Sequence, residues 1–265
     1  MSAANEVNRR GGDSALRIPV MAHLVAGYPT TGISLAAARG LAGGGVSYFE
    51  VQLPFSDPSA DGTAIQTACA EVLSRGFRLD EGFAFAETLH REYPEIPVFL
   101  MTYANLAYKA GIGAFVERAA RAGVSGLIIP DLPFDADEGL AASCQRHGLA
   151  AVPVAAPSMS PGRVARLVSL GRLYVYAALR SGITGSETVI DGATLAFVRS
   201  LETGGARILA GFGVRTGAQA RLLAPRVHAV VAGSVFVDLI RESSPGGESA
   251  VERAVSAKAR ELTCG

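Results

Sequence analysis

Cysteine is scarce: Cys69, Cys144 and Cys264 are the three in 265 residues. They are odd in number, widely spaced and include no Cys-x-x-Cys pair, which argues against a disulfide framework or a zinc site. The histidines, His23, His90, His147 and His228, show no metal-ligand spacing either. They read as surface or core fillers, with His23 alone placed on a strand-like run from which it could reach an interior. Charge of one sign is also missing, because 24 Lys plus Arg balance 24 Asp plus Glu. A general nucleic-acid binder would carry a basic surplus. Charged residues make up 18% of the chain, against roughly 25% in an average soluble domain. With a mean hydropathy of +0.29, that leaves apolar surface for a partner. No apolar stretch approaches the roughly 20 residues of a membrane-spanning helix. The beginning of the chain carries Glu6, Arg9, Arg10 and Asp13 without an apolar run, so no secretory signal is expected and a reducing cytoplasm fits.

What is present is a regular alternation. Short apolar runs recur at Val20–Val25, Val46–Leu53, Pro97–Tyr103, Gly126–Pro130, Ala151–Ala155, Leu173–Ala178, Ile208–Gly211 and Ala229–Ala232. Continuous apolar runs ending in Gly, Pro or Asp read as strands buried on both faces, as in a parallel sheet. Between them lie stretches of helical period: Gly32–Gly43, Gly62–Arg75, Asp80–Arg91, Gly111–Ala122, Asp135–His147, Ser160–Leu170, Asp191–Thr203 and Thr216–Leu223. Several open at a capping residue, such as Ser160 or Thr216, and several stop near a glycine. Eight strand–helix units in 265 residues give about 33 residues each, close to the norm for an eight-fold (β/α) barrel, a TIM barrel. The rival is a doubly wound sheet. It would usually carry Gly-x-Gly-x-x-Gly after the first strand, where this chain has GYPTTG. The reading is a single α/β domain over residues 1–265. Residues 1–17 form a tail or a short helix across the barrel bottom, 18–240 the barrel and 248–262 a terminal helix after the break at Ser243–Gly247.

In such barrels chemistry sits at the C-terminal ends of the strands. Along the second strand, alternation sends Ser47, Phe49, Val51 and Leu53 toward the helices, and Val46, Tyr48, Glu50 and Gln52 into the barrel. A carboxylate on that inner face loses hydration, the setting of a general acid/base; a Glu hydrogen-bonded to a neighbouring strand is the alternative. The following loop, Pro54–Gly62, is stiffened by two prolines and holds Asp57 and Asp61. Asp57 could form an Asx turn and Asp61 could cap the next helix. Two carboxylates in different environments on one rim would also let acid and base steps run together. The long, small, polar loop Arg180–Glu187 has the make-up of a closing lid. Gly211-Phe212-Gly213 and Gly233-Ser234, the latter opening a helix, form the usual barrel phosphate cradle, in which backbone N–H groups and a helix dipole favour a dianion. Cys69 and Cys144 read as buried fillers, and Met101 as core or pocket wall.

The segments FEVQLPFSDPSADGTAIQ, MTYANLAYKAGIGAFV, PDLP, YVYAALRSGITG, GFGV and AGS, in this order, resemble the signature of the tryptophan synthase alpha subunit family from about Ile18 to Ile240. The resemblance implies the eight-fold barrel and a retro-aldol cleavage of indole-3-glycerol phosphate to indole and glyceraldehyde 3-phosphate. By motif, the proton-shuttling glutamate is Glu50 and the indole-side aspartate is Asp61, in line with one desolvated and one better solvated carboxylate. Thr184 and Arg180 are the lid residues, and Tyr176 and Phe212 the pocket aromatics. Gly185, Gly213, Gly233 and Ser234 are the phosphate donors. Asp57, Pro58, Tyr103 and Asn105 lie toward a beta subunit in an alpha2beta2 tetramer. That partner holds the pyridoxal phosphate, so this chain needs no cofactor and no metal.

Three positions depart from the family pattern. Gln52 stands in place of a glycine, where it would crowd the site or hydrogen-bond the Glu50 carboxylate. Thr63 replaces a proline and loosens a helix start, and Leu179 replaces a serine before Arg180. Gln52 and Leu179 keep alive a barrel that only binds and modulates a beta subunit. A stand-alone paralogue that releases free indole is the other alternative.

Overall fold

A computed structural model describes residues 17–179 and 189–264. The apolar runs are strands: β1 (Val20–Val25), β2 (Tyr48–Gln52), β3 (Val98–Met101), β4 (Val124–Ile128), β5 (Ala150–Val152), β6 (Val154–Ala155), β7 (Tyr174–Ala178), β8 (Arg207–Gly211) and β9 (Ala229–Ala232). Among the described residues they form one sheet in the order β5-β4-β3-β2-β1-β9-β8-β7-β6, parallel throughout. β5 and β6 are halves of one stave, parted by Pro153, which has no N–H to give to a ladder. The first half pairs with β4 and the second with β7, so the ring closes as the expected eight-fold barrel.

The helices are α1 (Thr31–Gly43), α2 (Thr63–Ser74), α3 (Leu79–Glu92), α4 (Ala104–Ala110), α5 (Ile112–Arg121), α6 (Leu140–Arg146), α7 (Pro161–Ser169), α8 (Gly192–Glu202), α9 (Gly217–Leu223), α10 (Ser234–Ser243) and α11 (Glu248–Cys264). Their starts follow the capping chemistry. The Thr30, Ser160, Asp191 and Thr216 side chains accept from backbone N–H groups in the first turns of α1, α7, α8 and α9. Helix α4 has no counterpart in the sequence reading, which carries the third strand on to Tyr103. The ladder stops at Met101, and Tyr103 caps α4. Two boundaries also move: the fourth strand is Val124–Ile128, not Gly126–Pro130, and α6 starts only at Leu140, after Gly139 at φ 84°. Thr63 does not prevent α2 from starting at that residue. The expected tail at residues 1–17 lies, except for Arg17, outside the described residues.

Strand alternation sorts the core in two. Ala22, Leu24, Phe49, Val51, Leu53 and Leu100 face the helices. Met21, Phe99, Met101, Ile128, Tyr174, Tyr176, Leu209 and Val231 fill the barrel interior. Val46 belongs to the outer set, contrary to its expected inward aim. It precedes the regular strand, behind Gly45 at φ 84°, and so escapes the alternation. At the N-terminal ends of the strands the barrel is plugged by rings. Phe99 packs edge-on to Tyr48 and Tyr174, with centroids 5.8 and 5.2 Å away. The Tyr48 hydroxyl lies 2.6 Å from His228 Nε2. Among the described residues the cavity lies toward the opposite mouth.

Helix α11 returns to seal the outside of the barrel against α1, and glycine permits the close approach. A Cβ on Gly40 would stand 2.5 Å from the backbone oxygen of Glu252, so something must shift. Gly40→Ala is therefore expected to destabilise the fold by about 1–3 kcal/mol through overpacking, despite alanine's better helix propensity. A urea unfolding midpoint equal to that of the parent chain would show that the α1–α11 contact is looser than this.

Candidate active site

Parallel pairing of β1 with β2 sets His23 beside Glu50, and both side chains share the inner face. Glu50 is 2% exposed and His23 1%. His23 Nδ1 lies 2.7 Å from Glu50 Oε2. Glu50 Oε1 and His23 Nε2 are buried and have no hydrogen-bond partner among the described residues.

Asp61 arrives from the loop after β2. Its N–H donates to the Pro58 carbonyl at 3.0 Å, its own carbonyl accepts from Gln66 Nε2 at 2.8 Å, and the Tyr103 hydroxyl accepts from Ala60 N–H at 3.1 Å. These bonds fold the loop inward, and Asp61 ends 1% exposed. Its Oδ2 accepts from the Tyr103 hydroxyl at 2.7 Å and from Gln52 Nε2 at 2.9 Å. Burial pushes the Asp61 carboxyl above its ordinary value of 3.8; the nearby His23 and the Tyr103 and Gln52 hydrogen bonds pull it back in part, and Glu50 pushes it up again.

Several expectations are corrected here. Asp61 is not the better solvated carboxylate, since the loop buries it as deeply as β2 buries Glu50. It does not cap α2 either, whose N-cap is Gly62 without a side-chain bond. Gln52 bonds Asp61, not Glu50, because alternation and the inward loop bring its amide to the aspartate. Leu179 turns into the outer core, and its N–H continues the ladder to the Gly211 carbonyl at 2.8 Å. Tyr103 is 1% exposed and anchors Asp61, so its side chain is not turned to a partner. Pro58 is buried as well, whereas Asp57 and Asn105 are exposed.

His23, Glu50, Asp61 and Met101 line one cavity, together with Tyr176 and Phe212. The Tyr176 ring meets Phe212 edge-on, with centroids 5.8 Å apart. Burial, then Glu50 and Asp61, hold the Tyr176 phenol well above its ordinary range, so it stays a neutral hydroxyl. Gly211 makes room for it, because a Cβ there would stand 2.8 Å from the Tyr176 oxygen. Phe212 takes φ 79°, a conformation costly for a bulky residue and typical of functional sites. Gly213, Gly233 and Ser234 complete the cavity wall, at the N-terminus of α10 where N–H groups and the helix dipole favour an anion. Arg180, Thr184 and Gly185 lie outside the described residues. Cys69 is a filler as expected: burial pushes its thiol up to about 12.

Three contributions escaped the sequence reading. His23 is read as able to reach the interior, but not as the partner of Glu50, which the register of β1 on β2 makes it. Arg215 follows the Gly213 turn. Its Nη1 donates to Ser234 Oγ at 3.1 Å and its Nη2 to Asp238 Oδ2 at 2.9 Å, which sets a cation beside the cradle. Tyr103 is expected toward a beta subunit because nothing local signals the inward fold of the neighbouring loop.

A family model described as tryptophan synthase alpha chain matches residues 14–263. The tryptophan synthase alpha chain of Helicobacter hepaticus is 38% identical over 231 residues, 85% of this chain and 86% of that protein. That of Methanosarcina mazei is 35% identical over 247 residues, 93% and 88% of the two chains. Among solved structures, a chain of Mycobacterium tuberculosis tryptophan synthase superposes with a TM-score of 0.81 at 32% identity, covering 93% of this chain and 94% of that one. A chain of the tryptophan synthase complex of Pyrococcus furiosus gives 0.79 at 28% identity, covering 93% and 98%.

The raised Asp61 carboxyl has a consequence for stability. A group whose folded pKa lies above its unfolded value costs stability as pH rises above that unfolded value, because the folded chain holds the proton more tightly. Asp61→Asn, which keeps the shape and never ionises, is expected to be at least as stable as the parent near neutrality. Its advantage should shrink as pH is lowered toward 3.8. Urea titrations across that window test it, and a variant that is less stable at neutral pH would contradict the desolvation argument.

Proposed function

Because this chain belongs to the tryptophan synthase alpha chain family, we propose that Glu50 and Asp61 divide the acid–base work of that family's reaction. The chain is a carbon–carbon lyase that cleaves indole-3-glycerol phosphate to indole and D-glyceraldehyde 3-phosphate, the alpha step in making L-tryptophan. The step needs no cofactor on this chain; pyridoxal phosphate belongs to the beta subunit.

The observation that carries the assignment of roles is that Glu50, Asp61 and the glycine turns at α10 line one cavity. A bound substrate would set its phosphate on Gly213, Gly233 and Ser234, with Arg215 behind the serine. Its indole would lie against Tyr176, Phe212 and Met101. Glu50 gives a proton to indole C3, and Asp61 accepts the indole N–H as positive charge grows on the ring. Glu50 then takes the proton of the neighbouring side-chain hydroxyl. That O–H pair becomes the carbonyl of the leaving aldehyde, and the carbon–carbon bond pair returns to the ring. The proton count closes, since Glu50 ends as it began. Burial serves both carboxyls, because charge stabilisation inside a dry cavity exceeds that in water.

The exposed Asp57 and Asn105 belong to the face offered to a beta subunit, and an alpha2beta2 tetramer is the assembly we expect. The P. furiosus neighbour is itself a chain of a tryptophan synthase complex, which supports such a partner. A cytoplasmic location accords with three unpaired cysteines, and a single domain over residues 1–265 is part of this reading.

Glu50→Gln and Asp61→Asn are each expected to lower indole release by about 10²–10⁴-fold with the circular dichroism spectrum unchanged, assayed on indole-3-glycerol phosphate with and without a beta subunit. Near-normal release by either variant removes the role given to that residue. A crystal soaked in inorganic phosphate is expected to hold the ion beside Gly213, Gly233 and Ser234, and an empty cradle at saturating phosphate would count against the binding site.

A further inference from the structure

The pair formed by His23 and Glu50 has a design that the reaction alone does not require. The two residues are register partners on adjacent strands, and one ring nitrogen and one carboxyl oxygen meet at 2.7 Å inside the barrel. The remaining atoms of the pair, His23 Nε2 and Glu50 Oε1, are buried without a partner among the described residues, and both residues line the cavity. A pair serving only to fill the core would not leave two polar atoms unsatisfied, since each costs free energy there. The ring also has a fixed place. A Cβ on Gly233 would touch His23 Cβ at 3.5 Å and Cγ at 3.7 Å, so the imidazole stands between the glutamate and the phosphate cradle.

We propose that His23 is the positioning residue of Glu50. Its Nδ1–H donates to Oε2, which fixes the rotation of the carboxyl group and leaves Oε1 as the oxygen that passes the proton. The proposal rests on the role assigned to Glu50 above. Held in this way, one oxygen faces both indole C3 and the adjacent hydroxyl through the whole cycle, so the carboxyl need not turn between giving its proton and taking the next. No proton is consumed by the histidine: Nδ1 keeps its hydrogen, and Oε1 is protonated at the start and at the end. The titratable groups facing the imidazole are Glu50 from β2, Asp61 from the loop behind it and Tyr176 from β7. Of these, Tyr176 stays neutral.

The test compares His23→Phe, which keeps a ring but no donor, with His23→Asn, whose Nδ2 stands the same number of bonds from Cβ as Nδ1. Steady-state cleavage of indole-3-glycerol phosphate is followed across pH, with Glu50→Gln as the reference. For His23→Phe, kcat is expected to fall by up to about 10²-fold, the scale of a misplaced reacting group, with KM little changed. The alkaline limb of its pH–rate profile, where the Glu50 proton is lost, should move to higher pH, because a donor to the charged carboxylate is gone. His23→Asn should restore most of kcat and return the limb. An unchanged kcat and profile in His23→Phe, while Glu50→Gln is inactive, overturns the inference and leaves the Glu50 role standing. Equal losses in both variants with an unmoved profile and a lowered unfolding midpoint overturn it as well, since the ring would then only pack. An active Glu50→Gln removes the Glu50 role itself, and the inference falls with it.

Discussion

Closing a parallel sheet on itself admits only every second side chain of each strand to the interior. The rest of this molecule depends on that constraint. It divides β1 into Met21 and His23 inside and Ala22 and Leu24 outside, and β2 into Tyr48, Glu50 and Gln52 inside and Phe49 and Val51 outside. One end of the narrow interior is filled with rings from Tyr48, Phe99 and Tyr174. The remaining polar side chains are then forced together at the other end, out of water and within reach of one another.

The energetic interest lies in how that crowding is tolerated. Three polar side chains, Asp61, Gln52 and Tyr103, satisfy each other through a shared oxygen, while His23 holds one oxygen of Glu50. Atoms left in the same place without a partner among the described residues, Glu50 Oε1, Gln52 Oε1 and His23 Nε2, are a cost that a ligand can relieve. Stability and reactivity pull in opposite directions here, as is common where carboxyls are buried for chemistry. The framework that holds them is rigid: the α1–α11 seam is so close that Gly40 has no room for a methyl group. Inside the barrel, Gly211 is tied to the Tyr176 hydroxyl in the same way.

The substitutions that set this chain apart from its family pattern fall into two kinds. Leu179 and Thr63 do not touch the cavity: one joins the outer core and the other begins α2. Gln52 does touch it, but as a donor to Asp61. It therefore supports the Asp61 carboxylate and not that of Glu50. The features that first suggested a barrel without chemistry instead sit comfortably with the lyase.

Much of the architecture was legible because its signals are local. Apolar runs of strand length, capping residues such as Ser160 and Thr216, and a repeat near 33 residues specify staves and helices one at a time, and alternation alone turned Glu50 inward. Glycines after the last two strands marked one wall of the cavity for the same reason. Four features lay beyond that reach: the burial of Asp61, the inward Tyr103, the partner of Gln52 and the His23–Glu50 pair. Each joins residues that touch only once β1, β2 and β3 stand side by side and the Pro54–Gly62 loop has folded over them. Helix α4 lay beyond it likewise, because a ladder ends where its neighbour ends. The sequence by itself determined which side chains enter the barrel. Only the tertiary structure decided which of them meet, since strand register and loop closure arise from contacts between segments far apart in the chain.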